Sequence, residues 1–251
     1  MTRLVWSDLT PRPAWRQMAI DHALLDLAES DGTTVLRLYC WAGGSISFGA
    51  NEAALRHWDR DLIERRAVPC VRRPTGGRAV WHDADDLTYA VTGPLADFGG
   101  LKLAYQEIHA RFARRLADIG LATALAPAPE RMPGLAAGAC FDIAVGGEIL
   151  HGARKVIGSA QVTQGAALLQ HGAIARADRL PALNRFRRSP PPEPTHPAIA
   201  DLPPVPQLAA ALLGDWLDRG ALPAPGELTA WAEAASVKHS RYRGPDWTWR
   251  R

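Results

Sequence analysis

Cysteine is scarce in this chain. Its 251 residues contain three cysteines, Cys40, Cys70 and Cys140. The number is odd and the spacing is not that of metal ligands, which argues against a disulfide framework and against a zinc site. Cys40 and Cys70 each end an apolar, strand-like run and are expected to be buried thiols. Cys140 lies among small residues, where a substrate could reach its sulfur.

Lysine is also rare, since Lys102, Lys155 and Lys238 are the only three in the sequence. Arginine therefore carries nearly all of the positive charge, which is a compositional bias. Lys155 stands out because it lies within an apolar alternation, at a position where arginine was not used. We treat it as a candidate functional residue.

Long apolar runs are missing as well. No run is long enough to span a bilayer, and residues 2–13 lack the order of basic, apolar and cleavage segments that marks a leader. We expect a cytoplasmic protein with no membrane partner. The net charge is +3, but the basic residues are dispersed and are not interleaved with aromatic residues, so we expect no nucleic-acid partner.

The pattern of apolar residues predicts an α/β (α+β) fold in which helices flank a mixed β-sheet. We expect a single domain over residues 1–251, with residues 188–251 forming a helical C-terminal segment. Predicted helices cover residues 15–28, 58–66, 101–119, 206–219 and 227–237. Predicted strands cover residues 34–41, 45–48, 68–72, 78–81, 87–91, 143–145, 148–150, 156–162 and 167–174. Residues 34–41 and 45–48 are expected to pair as a hairpin, and residues 82–86 are expected to form a turn.

Two segments carry the residue types that acyl transfer needs. The first, Arg72–Asp83, reads RRPTGGRAVWHD, and its paired glycines allow a ligand to lie against the main chain. In the second, a thiol at Cys140 precedes Lys155, which combines a nucleophile with a possible base. Alternation along the strand after Lys155 places that residue, Ser159 and Gln161 on one face.

The first segment resembles the signature of the biotin/lipoate protein ligase catalytic domain. The sequences KVIGSAQ at residues 155–161 and LQHG at residues 169–172 resemble the next two signatures of that family, in the expected order. The resemblance runs from the first predicted helix to at least Ile174. It implies catalytic roles for Cys140 and Lys155, and it implies substrate binding by Arg73, Thr75, Gly76, Gly77, His82, Gly158, Ser159 and Ala160.

Within that family, the dipeptide Cys140–Phe141 resembles the octanoyltransferases that use an acyl carrier protein, whereas adenylate-forming ligases have a Gly-Arg-Asn-Asp type of sequence there. The resemblance implies octanoyl transfer from acyl carrier protein to Cys140, and then to a lysine of a lipoyl domain in the glycine cleavage H protein or an E2 subunit. A thioester is already activated, so the reaction needs neither ATP nor a metal, and we expect no cofactor. The run after Asp142 departs from the family pattern, which puts the donor preference in doubt.

Several alternatives remain open on sequence grounds. The chain could instead be an ATP-dependent lipoate or octanoate ligase, an amidotransferase between lipoyl domains, or a non-catalytic acyl-binding module. Lys155 could act as a base or could only orient the carbonyl group. His82 could be a turn residue bonded to Asp83, and His171 could be structural. The arginines at positions 72, 73 and 78 could steer an acidic carrier protein or could be ordinary surface residues.

Overall fold

The computed structural model describes residues 3–126, 147–152, 154–174, 176–189 and 202–251. Cys140 and the predicted strand at 143–145 lie outside the described residues. The described strands are β1 (Arg3–Arg12), β2 (Thr34–Trp41), β3 (Ser45–Phe48), β4 (Cys70–Arg72), β5 (Val80–His82), β6 (Leu87–Pro94), β7 (Ala124–Leu125), β8 (Ile149–His151), β9 (Arg154–Gln164) and β10 (Ala167–Ile174). The described helices are α1 (Ala14–Asp31), α2 (Ala54–His57), α3 (Arg60–Arg65), α4 (Leu101–Asp118), α5 (Leu180–Asn184), α6 (Val205–Leu217), α7 (Pro225–Val237), α8 (His239–Arg243) and α9 (Pro245–Thr248), together with a 3-10 turn at Leu95–Phe98.

The strands form two sheets. The larger sheet is mixed and has the strand order β1-β2-β6-β10-β9-β8-β7, and the smaller sheet has the order β4-β3-β5. This confirms the predicted fold class, a mixed sheet flanked by helices. The described helices include none that is long and apolar enough to cross a membrane.

Helices cover both faces of the larger sheet. Every residue of β2 is buried, because successive side chains point to opposite faces of a strand and both faces are covered. Leu36 and Leu38 pack in one apolar cluster with α4 and α6. Val35 and Tyr39 pack in the other with α1 and α7. The smaller sheet has its own apolar cluster, which includes Trp58.

Helix α1 was predicted correctly. Its residue Asp21 is fully buried. Its carboxylate accepts a hydrogen bond from Arg37 at 2.8 Å and another from the hydroxyl of Tyr39 at 2.9 Å. A buried charge requires such partners. The helix ends where Gly32 adopts a left-handed conformation, with φ 74°.

Three expectations about the strands were wrong. Strand β3 does not form a hairpin with β2, because it pairs in parallel with β4 and antiparallel with β5 in the other sheet. Strand β1, at Arg3–Arg12, was not predicted, although it pairs in parallel with β2. His82 is the last residue of β5 rather than a turn residue.

Arg72 holds the C-terminal segment onto the smaller sheet. Its guanidinium group donates to the carbonyl oxygens of Gly49 at 2.7 Å and Glu52 at 2.8 Å, and to that of Thr248 at 3.0 Å. The side chain is fully buried, and burial lowers the pKa of Arg72 to about 10. Both readings offered for this arginine, carrier steering and surface charge, were wrong. It is a structural residue.

Candidate acyl-transfer site

A cavity that is partly open to solvent lies where the two sheets meet, and its empty space is about 340 Å³ when the open part is included. The larger sheet contributes Tyr39 and Trp41 from β2, Gly158–Ala160 from β9 and His171–Ala173 from β10. Met18 of α1 and Val80 of β5 also line it. The wall is therefore mostly apolar or made of small residues, and it suits an aliphatic chain.

Arg73 shapes the loop that contains the paired glycines. Its guanidinium group donates to the carbonyl oxygens of Ser47 at 2.7 Å, Gly76 at 3.0 Å and Arg78 at 2.9 Å. The side chain is buried and lines the cavity, so it is not a surface charge. A planar fork with five donors suits this task, because it can bind several carbonyl groups at fixed angles. Gly77 needs its glycine, since its φ is 91°.

His82 is held by Ser47 and Trp41 beside the cavity. Its Nε2 lies 2.7 Å from the hydroxyl oxygen of Ser47, and that oxygen accepts a hydrogen bond from Arg73 at 2.8 Å. The imidazole stacks on Trp41 with ring centroids 3.8 Å apart. Burial lowers the pKa of His82 well below its usual range, with the charge of Arg73 as the next contribution. The imidazole is therefore neutral near pH 7.

One ring nitrogen of His82 has a partner and the other has none. Nε2 lies within hydrogen-bonding distance of the Ser47 hydroxyl, which also accepts from Arg73. Nδ1 is buried and has no hydrogen-bond partner among the described residues. The cavity wall thus contains a polar ring nitrogen that no described protein group satisfies.

Thr75, His171 and Asp21 form a buried chain on the α1 side of the cavity. The hydroxyl of Thr75 lies 2.6 Å from Nε2 of His171, and Nδ1 of His171 lies 3.0 Å from a carboxylate oxygen of Asp21. Both ring nitrogens are therefore occupied, in agreement with the structural reading of this histidine. The chain connects the glycine loop to the larger sheet.

Lys155 forms a buried ion pair with Glu148. The Nζ atom lies 2.6 Å from Oε1 of Glu148, and the two residues are 5% and 2% exposed. Lys155 is on β9, four residues before Ser159 in the cavity wall. The described residues that line the cavity do not include Lys155 itself. Glu148 thus supplies a buried carboxylate beside this lysine.

A second buried polar network surrounds the hydroxyl of Ser159. This oxygen lies 2.6 Å from the hydroxyl of Tyr89 and 2.7 Å from Nε2 of His109. Nδ1 of His109 lies 2.6 Å from the carbonyl oxygen of Gly147, and Gln170 donates to the Tyr89 hydroxyl at 2.8 Å. Sequence reasoning missed His109, Tyr89 and Gln170. The available signal was a histidine on the apolar face of a helix, which is more often structural.

The two described cysteines are poor nucleophiles. Burial raises the pKa of the Cys40 thiol, and it raises the pKa of the Cys70 thiol to about 12. Cys40 is buried as expected, whereas Cys70 is half-buried. Both are thiols with raised pKa values, and only the thiolate is nucleophilic. Across the described ranges, no cluster of three potential ligands could hold a metal ion.

A family model described as the lipoyl protein ligase A/B catalytic domain matches residues 13–202. The chain belongs to this family. The match spans both segments that carried the resemblance, so the expected family assignment is confirmed. It also spans the cavity walls and all of the candidate site residues.

Curated relatives in this family are named octanoyltransferase LipM. The protein from Moorella thermoacetica is 38% identical over 168 residues, which cover 64% of this chain and 60% of that protein. The protein from Symbiobacterium thermophilum is 36% identical over 191 residues, which cover 73% and 69%. The first of these matches thus spans less than two thirds of the relative's length.

Solved structures agree on the fold. A crystal structure of lipoate-protein ligase A bound with ATP has a TM-score of 0.77 at 21% identity, and the match covers 99% of both chains. A bipartite lipoate protein ligase from Thermoplasma acidophilum, solved in a study of that ligase and its E2 lipoyl domain, has a TM-score of 0.71 at 20% identity. That match covers 99% of this chain and 96% of the other.

The predicted site residues fall into three groups, which line the cavity, lie close to its wall, or lie away from it or outside the described residues. Arg73, His82 and the predicted residues of β9, Gly158–Ala160, line the cavity together. The glycine loop lies against the same wall, since Thr75 bonds to the cavity residue His171 and a Cβ on Gly77 would lie 3.8 Å from the Cβ of Ala160. Lys155 lies further along β9, and Cys140 lies outside the described residues.

Proposed function

We propose that this chain transfers an octanoyl group from acyl carrier protein to Cys140, and then from Cys140 to a lysine of a lipoyl domain, in lipoate biosynthesis. The observation that carries the proposal is a cavity suited to an acyl chain. Strand β9, which forms part of its wall, also contains Lys155, whose buried side chain is ion-paired with Glu148. Cys140 precedes this pair in the sequence and is followed by Phe141, as in the octanoyltransferases that the chain resembles. The names of the curated relatives support the same reaction.

The first half-reaction loads the enzyme. The sulfur of Cys140, as thiolate, attacks the thioester carbonyl of the octanoylated phosphopantetheine, whose own sulfur leaves as the thiolate. Two thioesters of similar energy are exchanged, so the step needs no ATP. In the second half-reaction a neutral lysine amine attacks the new thioester and forms an amide. The stability of the amide drives the two-step reaction forward.

Lys155 serves this chemistry as a hydrogen-bond donor. Its ion pair with Glu148 fixes the position of the ammonium group in a buried environment. A fixed donor of this kind stabilises the negative oxygen of a tetrahedral intermediate more than it stabilises the ground-state carbonyl. The geometry therefore favours orientation and stabilisation of the carbonyl group over the role of a free base, which was the other reading of this residue.

His82 supplies a second donor to the acyl group. Its Nδ1–H is buried beside the cavity, and the described residues offer it no acceptor. An unsatisfied buried donor costs about 1–3 kcal/mol, and a bound carbonyl oxygen would remove this cost. This contact uses the tautomer that carries its proton on Nδ1, in which Nε2 accepts a hydrogen bond from the Ser47 hydroxyl.

The apolar part of the cavity binds the octanoyl chain. Burying its methylene groups contributes about 0.8 kcal/mol each, on the order of 5 kcal/mol in all. The small residues Gly158, Ala160 and Ala173 leave room for the chain between the two sheets.

The acceptor partner is a lipoyl domain of the H-protein or E2 type. One structural neighbour comes from a study of a lipoate protein ligase and its E2 lipoyl domain, and the family resemblance points to the H protein. The donor partner is octanoyl-acyl carrier protein, supported by the Cys140–Phe141 dipeptide and by the curated names.

A reconstituted reaction without nucleotide tests the proposal. Purified protein is mixed with octanoyl-carrier protein and a lipoyl domain, and octanoylation of the acceptor is measured by intact mass. We expect amide formation without ATP. A requirement for ATP with release of pyrophosphate would identify a ligase, and octanoylated H protein as the only effective donor would identify an amidotransferase.

A further inference from the structure

The hydroxyl of Ser159 has more hydrogen-bonding partners than a structural serine requires. It is within 2.7 Å of both the Tyr89 hydroxyl and Nε2 of His109. Tyr89, His109 and Gln170 are fully buried, whereas Ser159 is only half-buried and lines the cavity. Among these four residues, Ser159 is the one that lines the cavity.

The directions of the hydrogen bonds can be assigned from the fixed ends of the network. The carbonyl oxygen of Gly147 can only accept, so Nδ1 of His109 carries the proton. Burial lowers the pKa of His109 to about 4, with the nearby charge of Lys155 acting in the same direction. The ring is neutral, and its Nε2 is an acceptor.

The other end of the network fixes the tyrosine. Gln170 donates its amide hydrogen to the Tyr89 hydroxyl oxygen. The Tyr89 hydroxyl oxygen lies 2.6 Å from Ser159 Oγ and 3.2 Å from Nε2 of His109, so its shorter contact assigns its hydrogen to Ser159. The Ser159 hydroxyl then donates to Nε2 of His109. Both hydroxyl hydrogens, those of Tyr89 and Ser159, are used within the network. Ser159 Oγ retains one lone pair and has no free hydrogen, so it offers a substrate an acceptor and not a donor.

This assignment limits which reactant Ser159 can serve. An acyl thioester carries only acceptors at its reacting carbon, so it gains nothing from a second acceptor. The amine of the incoming lysine is the one reactant that brings N–H groups to this site. We propose that Ser159 Oγ accepts a hydrogen bond from the ε-amine of the acceptor lysine, and that Tyr89 and His109 are positioning residues that keep Ser159 in its accepting state. This inference rests on the proposed octanoyl transfer.

The bond changes of the second half-reaction follow from this arrangement. The neutral amine nitrogen forms a bond to the thioester carbon, and the C–S bond breaks with its electron pair passing to sulfur. The nitrogen, now positively charged, gives one proton to Ser159 Oγ while the original Ser159 proton moves to Nε2 of His109. The imidazolium then gives this proton to the departing thiolate or to water, because the buried ring does not keep it. Loading of the enzyme involves no amine and does not use the network.

A two-stage experiment separates these steps. The octanoyl-enzyme is first formed with octanoyl-carrier protein and followed by intact mass. It is then mixed with a lipoyl domain or, in parallel, with hydroxylamine, a small nucleophile that is already neutral at pH 7. For Ser159→Ala we expect normal loading, normal release by hydroxylamine, and transfer to the lipoyl domain slowed on the order of 10²-fold, the usual contribution of a positioned proton acceptor.

Two further variants probe the positioning residues. Tyr89→Phe keeps the ring against Phe112, with centroids 4.7 Å apart in the parent protein, and removes one hydrogen bond to Ser159. We expect transfer to the lysine to slow about 10-fold, the effect of one lost hydrogen bond. His109→Gln removes the acceptor at Nε2. We expect it to slow transfer to the lysine more than Tyr89→Phe does and less than Ser159→Ala does. Ser45→Ala is the control, because it removes a buried serine hydroxyl of the smaller sheet that has no partner among the described residues.

The outcomes distinguish this inference from the proposed function. If Ser159→Ala slows loading, hydroxylamine release and lysine transfer by the same factor, or if it leaves lysine transfer unchanged, the role of Ser159 is wrong while octanoyl transfer stands. If the parent protein forms no octanoyl-enzyme, the proposed function fails and this inference fails with it. Selective loss of lysine transfer in Ser159→Ala, with partial loss in Tyr89→Phe, supports the inference.

Discussion

The Nζ atom of Lys155 lies 2.6 Å from Oε1 of Glu148, and both side chains are buried beneath the start of strand β9. Two charges in such a place stabilise each other, and each is costly without the other. The positions of Lys155 and Glu148 in the fold therefore depend on each other, and this dependence is directly measurable.

Removing one partner of this pair should be strongly destabilising. We expect Glu148→Ala to lower the free energy of unfolding by about 3–5 kcal/mol, because it removes the carboxylate that is ion-paired with the buried ammonium group of Lys155. The double variant Glu148→Ala/Lys155→Met should recover most of this loss. Urea unfolding of the four proteins measures the coupling, and additive effects of the two substitutions would show that the ion pair is not coupled.

Acid should weaken the fold through His109. Its pKa is lowered from 6.5 to about 4 by burial, so the unfolded chain binds a proton between these values while the folded chain does not. Stability is then fully present above pH 6.5 and is lost as the pH falls towards 4, by about 3 kcal/mol over this window.

The matched variant for this acid effect is His109→Gln, which does not titrate. Urea unfolding of both proteins at pH 7.5 and pH 4.5 should show a smaller drop for the variant, by about 2–3 kcal/mol. Equal drops in the two proteins would mean that His109 is not the neutral buried group described here. The pKa of His82 is also lowered by burial, but this residue is present in both proteins and contributes equally to both drops in stability.

The glycine loop offers a matched pair of substitutions. A Cβ on Gly49 would overlap the carbonyl oxygen of Gly77, whereas a Cβ on Gly76 would meet no atom within 4 Å, and the φ of Gly76 is not positive. We expect Gly49→Ala to lower the free energy of unfolding by about 1–3 kcal/mol through overpacking. Gly76→Ala should leave it within about 0.5 kcal/mol. Similar losses in both variants, measured by urea unfolding, would contradict the observed loop packing.

The size of the cavity should set the acyl-chain preference. Ala160→Leu adds three carbon atoms to the cavity wall. We expect the KM for octanoyl donors to rise at least about 10-fold, since displacing two methylene groups removes about 1.6 kcal/mol. A butanoyl donor should be much less affected. Competition between donors of the two lengths measures this shift. An unchanged preference would show that the acyl group does not bind in this cavity.

The sequence predicted the positions of helices and strands more reliably than it predicted which strands pair with each other. Apolar periodicity located α1, α4 and β10, and glycine pairs marked the loop at Gly76. Pairing of β3 with β4 and β5 depends on long-range contacts, and no local pattern separates this arrangement from a hairpin with β2. Likewise, Asp21 and Asp26 look alike along the helix, yet Asp21 meets the buried Arg37 across the sheet.

The site could be predicted where residue type alone is informative. Paired glycines, a lone lysine in an apolar alternation and a thiol are visible without a structure. The network of Tyr89, His109, Ser159 and Gln170 was not visible, because its members come from β6, α4, β9 and β10 and are far apart in sequence. Only the packing of these elements brings the four side chains to one hydroxyl group.

Covalent loading of Cys140 is the central claim, and intact mass spectrometry tests it most directly. The protein is incubated with octanoyl-carrier protein in the absence of nucleotide, and Cys140→Ala is treated in the same way. We expect the mass of one octanoyl group on the parent protein, released by hydroxylamine, and none on the variant. An unmodified parent protein, or an adduct that persists in Cys140→Ala, would contradict the account.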